Sequence, residues 1–293
     1  MGAQLIECVP NFSEGRDRRV VDAIVDAIAS VPGVALLAHE SDIDHNRSVV
    51  TFAGEPSCVV EGALRGIEQA VRNIDLRKHG GVHPRMGAAD VVPFVPVSGI
   101  TLEQTAAIAH QAGQEIWRRL DVPVYYYEAA ALRPEYRRLE QVRRTGYRRP
   151  DVGGPELHPG AGACIVGARN ILVAFNVDLR SDDLEAARSI ARAVRASSGG
   201  LPAVKAIGVP LPSRGIVQVS MNLTDFAAVG IYEAFHAVER EARARGIEVL
   251  ETELIGLIPR KALEGGDPSS LRFQDFGPHR VLEDLLQPTE PRR

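Results

Sequence analysis

The stretch Lys78-His-Gly-Gly-Val-His-Pro-Arg-Met-Gly-Ala-Ala-Asp90 gathers two imidazoles, two cationic side chains and a carboxylate. Histidines four apart are a metal-ligand spacing when they share a helix face. Here Gly80 and Gly81 lie between His79 and His83, and Pro84 follows, so helical geometry is not expected. No third ligand is near in sequence except Asp90, and no metal is expected. The same residues suit a loop that presents one imidazole, flanked by Arg85, for proton transfer near neutral pH. A histidine that only closes a loop would read the same way, so both readings stand for His83 on the residues alone.

Two further clusters could supply polar partners. Glu40-Ser-Asp-Ile-Asp-His-Asn-Arg47 is either a solvated turn, since Asp, Asn and Ser dominate turns, or a source of a carboxylate that orients an imidazole and of an arginine that grips an anion with two donors. Pro10-Asn11-Phe-Ser-Glu-Gly15 is a helix cap with a turn, or a run of N–H groups aimed at a carboxylate. Gly153-Gly154-Pro and Pro159-Gly160-Ala-Gly162 are glycine-rich, but lack both the Gly-Lys-Ser/Thr ending and the GxGxxG spacing of phosphate loops.

The elements that must hold these clusters alternate between strands and helices. Leu5–Val9, Val34–Leu37 and Ser48–Phe52 are apolar runs. Val21, Ile24, Val25 and Ile28 form a helical stripe that stops near Pro32-Gly33. Pro56 fits the first turn of a second helix. Asp90–Val97 follows as a strand whose two prolines suit an edge or a bulge. Thr101 with Gln104 signals a capped third helix. Tyr125, Tyr126 and Tyr127 alternate faces on the next strand, so at least one packs in the core. Residues 131–160, with seven arginines between 133 and 149, read as a loop-rich connector.

In the second half, a strand over 171–177, a helix from Ser181, a hairpin over 204–221, a helix ending at Gly246 and a strand over 249–258 spell βαββαβ, and residues 4–97 repeat that order loosely. The expectation is an α+β protein of two ferredoxin-like (βαββαβ) sandwich subdomains, residues 1–177 and 178–293, with a crevice between them and a peripheral extension over the last 30 residues.

Composition narrows the classes. A net charge of −4 with 25% charged residues gives no reason to expect nucleic acid as a partner. No apolar run approaches the length of a membrane span, so no membrane partner is expected. The start, MGAQLIECVPNFSEGR, has no secretory profile, and Gly2 lacks the Ser or Thr that myristoylation expects. Three scattered cysteines suit a reducing compartment. A cytoplasmic protein is expected.

Taken together, the motifs resemble the glutamate formimidoyltransferase family, through its formiminotransferase domain. The resemblance runs through Cys8-Val-Pro-Asn-Phe-Ser-Glu-Gly15, Asn46-Arg47 with Thr51-Phe-Ala-Gly54, His83-Pro-Arg-Met-Gly-Ala-Ala-Asp-Val91, Leu120-Asp-Val-Pro-Val-Tyr125, Ala174-Phe-Asn176, Gln218-Val-Ser with Asn222-Leu, and Glu253-Leu-Ile-Gly-Leu257. It implies transfer of the formimino group of N-formimino-L-glutamate to tetrahydrofolate as co-substrate, releasing glutamate in histidine degradation. It also implies two ferredoxin-like subdomains, folate in the groove between them, a homodimer, and no cyclodeaminase domain.

The family's catalytic histidine falls on His83. Its acidic partner falls on Glu40, where many relatives have Asp. The folate-contacting segment falls on Gly153–Gly162. Asn11, Arg47 and Arg85 are expected to contact substrate, the two arginines as clamps for its carboxylates. Three departures stand out: Val82 where some relatives have Glu, Ala161 where Trp is frequent, and Tyr127-Glu128 where relatives read Tyr-Gly-Glu. The arginines of 133–149 form a solvated charged helix or attract the polyglutamate tail of folate. Two other readings share the scaffold, an enzyme handling 5-formyltetrahydrofolate and a folate-binding module without catalysis.

Overall fold

The computed structural model describes residues 4–144 and 148–286. Gly2, Thr145 to Tyr147 within the arginine-rich stretch, and the end of the C-terminal extension lie outside the described residues. The chain forms two compact units, Met1–Asn170 and Ile171–Arg293.

The first unit is built on a seven-stranded sheet. Strands β1 (Leu5–Cys8) and β2 (Asn11–Phe12) flank Pro10 and act as one interrupted strand. Both pair antiparallel with β4 (Arg47–Gly54) on one side and β5 (Ala89–Ser98) on the other. On the flank of β4 lies β3 (Val34–Asp42). The sheet continues past residue 97, beyond the repeat expected from the sequence. Strand β7 (Cys164–Ala168) pairs parallel with β5, and β6 (Val124–Glu128) pairs parallel with β7.

Three helices cover one face: α1 (Arg18–Ala29), α2 (Pro56–Asn73) and α3 (Leu102–Leu120). The α1 stripe Val21, Ile24, Val25 and Ile28 is buried as its spacing demands. Thr101 and Gln104 exchange both bonds of a capping box at the start of α3. Ile28, Ile67 and Ile116 meet Phe52, Phe94 and Val166 of the sheet in one apolar cluster. On the opposite face Val91, Tyr125, Tyr127 and Ile165 pack with Tyr136 and with Val142 of α4 (Leu139–Arg144). All three tyrosines of β6 are buried, Tyr126 toward α3, where its hydroxyl donates to the His110 carbonyl at 2.8 Å.

The prolines of β5 do not mark an edge. This strand is central, and the ladder accommodates them at its irregularities. Pro93 stands opposite the break between β1 and β2, where its carbonyl accepts from Val9 N–H. Pro96 falls where the β1 register shifts, beyond the last β7 partner.

The second unit runs β8 (Val173–Leu179), α5 (Leu184–Val194), β9 (Val204–Leu211), β10 (Ile216–Leu223), α6 (Ile231–Arg243), β11 (Val249–Ile255). Its sheet has the order β11-β8-β10-β9, antiparallel throughout. Because both ladders of β8 lie within this sheet, a boundary at 177/178 would cut the strand from its partners. Helix α6 ends where Gly246 takes φ 70° and Ile247 N–H donates back to the Ala242 carbonyl. The C-terminal extension is not peripheral as far as Leu286. Leu271, Val281 and Leu282 are buried, and Thr252 and Ile258 donate to the carbonyls of Arg272 and Arg280. Apolar side chains at those positions have no reason to stay in water. Among the described residues no helix is long and apolar enough to cross a membrane.

Candidate active site

The loop between α2 and β5 carries His79 to Arg85 and is laced to the turn between β3 and β4. Val82 N–H donates to the Asp44 carbonyl at 3.2 Å. Asn46, held at φ 46°, accepts from Gly15 N–H through its side-chain oxygen and donates to the Gly80 carbonyl. His79 Nε2 lies 3.3 Å from Glu14, whose other oxygen caps the start of α1 by accepting from Arg16 and Asp17. A Cβ at Gly81 would collide with the His45 carbonyl, so the close approach of the two loops needs that glycine. Arg85 braces the same turn, donating to the carbonyls of His45 at 2.9 Å and Asn46 at 3.3 Å. Those bonds make it a strut of the loop.

His83 is partly exposed at the top of this loop. Its Nδ1 is 2.8 Å from the Pro84 carbonyl. A carbonyl only accepts, so the ring proton is on Nδ1 and the lone pair on Nε2. The His45 ring lies 5.9 Å away, centroid to centroid. Removal from water lowers the proton affinity of His83 well below the ordinary imidazole value; the charges of Arg47 and Arg143 add to this, and Asp90 opposes it. His79 and His83 thus face different partners and do not converge. Among the described residues no three His, Cys, Asp or Glu side chains are grouped as metal ligands would be.

Asp90 is fully buried, and three segments bond to it. Arg47 of β4 and Arg143 of α4 each donate to its Oδ2 at 2.7 Å, and Met86 N–H donates to Oδ1 at 2.6 Å. Burial alone would raise its carboxyl, but the two guanidiniums and the N–H outweigh that and hold it down at about 2. Asn11 of β2 accepts from Arg47 Nε at 3.0 Å while donating to the Val9 carbonyl, so it steadies Arg47. Strand register sets the face: Glu40, Val49, Asn11, Val91, Ile165 and Tyr125 lie opposite one another in a row across the sheet. Arg47, two residues from Val49, shares that face. Glu40 is half-buried at the β3 end of the row.

The glycine-rich segment is fastened beside this loop. His158 and Gly162 exchange backbone hydrogen bonds, the Ala161 carbonyl accepts from Ala88 N–H, and Ala163 N–H donates to the Met86 carbonyl. His158 Nδ1 accepts from Ala161 N–H at 2.9 Å and Gly160 N–H at 3.3 Å, which places its proton on Nε2. Gly162 has φ 70°, with the Met86 carbonyl where a Cβ would go; Gly153 has φ 95°, and a Cβ there would come within 2.7 Å of the Trp117 ring. Gly154 and Pro159 carry no such constraint, Pro159 being exposed and Gly154 open. Ala161 is 1% exposed, a core position in this chain rather than a stacking surface. Glu128 takes φ 52°.

On the same face as Arg47, opposite α1, α2 and α3, Glu7 of β1 is buried, with its carboxyl pushed up to about 7 by loss of water and pulled back only partly by Arg169. Asp90 as a hub and Arg143 as its second partner were not found by sequence reasoning. Asp90 entered only as a spare metal ligand, and Arg143 is one arginine among seven in its stretch.

Residues 5–169 match the formiminotransferase domain, N-terminal subdomain, and residues 174–267 match the formiminotransferase domain. A glutamate formimidoyltransferase from Streptococcus pyogenes serotype M1 is 43% identical over 97% of this chain and 99% of the relative. One from Thermoplasma acidophilum is 41% identical, over 97% of both chains. The formimidoyltransferase-cyclodeaminase of Rattus norvegicus is 41% identical over 89% of this chain, which spans 51% of that longer protein.

Proposed function

Since this chain belongs to the formiminotransferase family, we propose that it transfers the formimino group of N-formimino-L-glutamate to tetrahydrofolate, giving 5-formimidoyltetrahydrofolate and L-glutamate. The observation that carries this reading is the identity of 43% to a relative of that name over nearly the whole of both chains.

N5 of tetrahydrofolate attacks the amidine carbon, and the tetrahedral intermediate expels the amine of glutamate. N5 must lose a proton and the departing nitrogen must gain one. His83 Nε2, with its lone pair free while Nδ1 is tied to Pro84, takes the first proton and supplies the second. Such transfer contributes roughly 10²–10⁴-fold. Glu40 serves as the acidic partner that steadies the imidazolium, and Asp90 adds a second carboxylate within its field. Arg47 and Arg85 attract the carboxylates of formiminoglutamate. The 153–162 segment, with exposed Pro159 and open Gly154, contacts folate. Bringing both substrates onto one surface removes much of the entropic cost of their encounter.

We place the enzyme in the cytoplasm, in histidine degradation, as a homodimer; light scattering of the purified protein tests the last. Purified protein mixed with formiminoglutamate and tetrahydrofolate is expected to release glutamate. Absence of glutamate, with turnover of 5-formyltetrahydrofolate instead, would replace this reading. His83→Ala is expected to lower turnover by about a hundredfold or more with little change in folate affinity; near-normal turnover removes His83 from the mechanism.

A further inference from the structure

Two arginines share one carboxylate oxygen. Arg47 Nη1 and Arg143 Nη2 each donate to Asp90 Oδ2 at 2.7 Å. Arg47 and Asp90 would be neutral as a pair, and the second guanidinium leaves the cluster at +1. That surplus sits where little water reaches it: Asp90 is fully buried, and the two arginine side chains keep only 11% and 18% of their surface exposed. A charge so placed weakens the fold unless an opposite charge completes it. Donors are left over as well. Arg47 commits Nε to Asn11 and Nη1 to Asp90, and Arg143 commits Nη2 to Asp90. Among the described residues neither Arg47 Nη2 nor Arg143 Nη1 has an acceptor, and Arg143 Nε is buried without one. What the cluster lacks is a further anion with two acceptor oxygens, and a carboxylate is the planar match for guanidinium donors.

The cluster stands beside the loop that carries His83. Asp90 Oδ1 accepts from Met86 N–H, and Met86 is three residues after His83, a span of at most about 11 Å of chain. In formiminoglutamate the α-carboxylate is separated from the amidine carbon by one nitrogen and one carbon. In tetrahydrofolate the aminobenzoyl spacer keeps the tail carboxylates far from N5. A carboxylate held close to the transferring group therefore belongs to the formimino donor. We propose that Arg143 is a substrate-binding residue: with Arg47 it holds the α-carboxylate of formiminoglutamate, and Asp90 fixes the two guanidiniums side by side to receive it. Helix α4 then serves the site by bringing Arg143 to the sheet face that carries Arg47. The inference rests on the reading of formiminoglutamate as the substrate.

The test follows initial rates of glutamate release in wild type, Arg143→Gln and Arg143→Lys, varying one substrate at a time. Arg143→Gln is expected to raise KM for formiminoglutamate by about tenfold or more, with kcat and KM for tetrahydrofolate little changed. Arg143→Lys, which keeps the charge but not the fork of donors, is expected to fall between. A raised KM for tetrahydrofolate alone, absent when tetrahydropteroate without the glutamate tail replaces it, would assign Arg143 to the folate tail and overturn the proposal. A fall in kcat with both KM values unchanged overturns it too. A second arm needs no turnover. Glutarate, a dicarboxylate without the formimino group, is expected to raise the thermal midpoint of wild type and to do so less in Arg143→Gln at equal ionic strength. Equal protection of the two proteins, or none of either, overturns the proposal. Arg143→Met replaces Arg143→Gln if the latter does not fold, and failure of both to fold makes the arginine structural and overturns it as well. If wild type releases no glutamate from formiminoglutamate, the reading of the reaction fails, and the glutarate arm still decides whether Arg143 belongs to a carboxylate site.

Discussion

On folding, the His83 ring loses water and comes under two guanidiniums and one carboxylate, and each change except the last weakens its hold on a proton. A histidine protonated more weakly in the folded than in the unfolded chain is neutral in both above the unfolded value near 6.5 and costs the fold stability as pH falls below it. His83→Gln is therefore expected to match wild type in urea midpoint at pH 8 and to exceed it at pH 5. Asp90 works in the opposite direction. Held at about 2, it stabilises at every pH above the ordinary aspartate range and is lost only in strong acid. Glu7 is raised to about 7 by burial, so its ionisation opposes folding as pH climbs through 7. Glu7→Gln is expected to raise stability by about 2 kcal/mol or more at pH 9 and by little at pH 5, read by denaturant midpoints. At this scale the sequence reveals His83, because glycines and a proline around one imidazole mark a loop. It hides Arg143, whose neighbours in sequence are also arginines and whose partner is 53 positions away.

Elements hold these side chains mainly through backbone. The 158–162 turn, tied to residues 86–88, depends on Gly162 because its left-handed backbone and the Met86 carbonyl leave no place for a side chain. Gly162→Ala is expected to cost about 1–3 kcal/mol and to disturb the loop carrying His83, lowering thermal midpoint and transferase rate together. Helices were the most legible elements: their stripes and the Thr101–Gln104 cap sit where the residues put them. The standing of β5 was not legible, since two prolines argue for an edge and only a broken neighbouring strand lets them sit in the middle of a sheet. The extension after β11 misled for a related reason. Its polar composition conceals Leu271, Val281 and Leu282, which are too sparse to form a period and are buried one by one.

Each of the two units has its own sheet and helices, with apolar clusters on both faces of the first unit's sheet and one in the second unit. The segment 171–286, expressed alone, is expected to unfold in a single cooperative transition by circular dichroism and to release no glutamate, because His83, Asp90 and Arg143 belong to the other unit. A broad, non-cooperative melt would show that its core does not suffice. The α+β class and the βαββαβ order of the second half followed from alternating periods and turn residues. The parallel addition of β6 and β7 did not, because the 35 residues between those two strands carry no period that announces where the chain returns.

That return fixes when the first unit can be finished. Of its strands, β7 is made last, yet it lies between β5 and β6. While the chain is being synthesised, β5 must wait with one flank unpaired and β6 with no sheet to join until residue 168 has left the ribosome. A bare strand flank is an invitation to pair with another nascent chain. Slow translation of the 129–163 stretch would lengthen that exposure, and aggregation yield should follow codon speed there more closely than anywhere downstream.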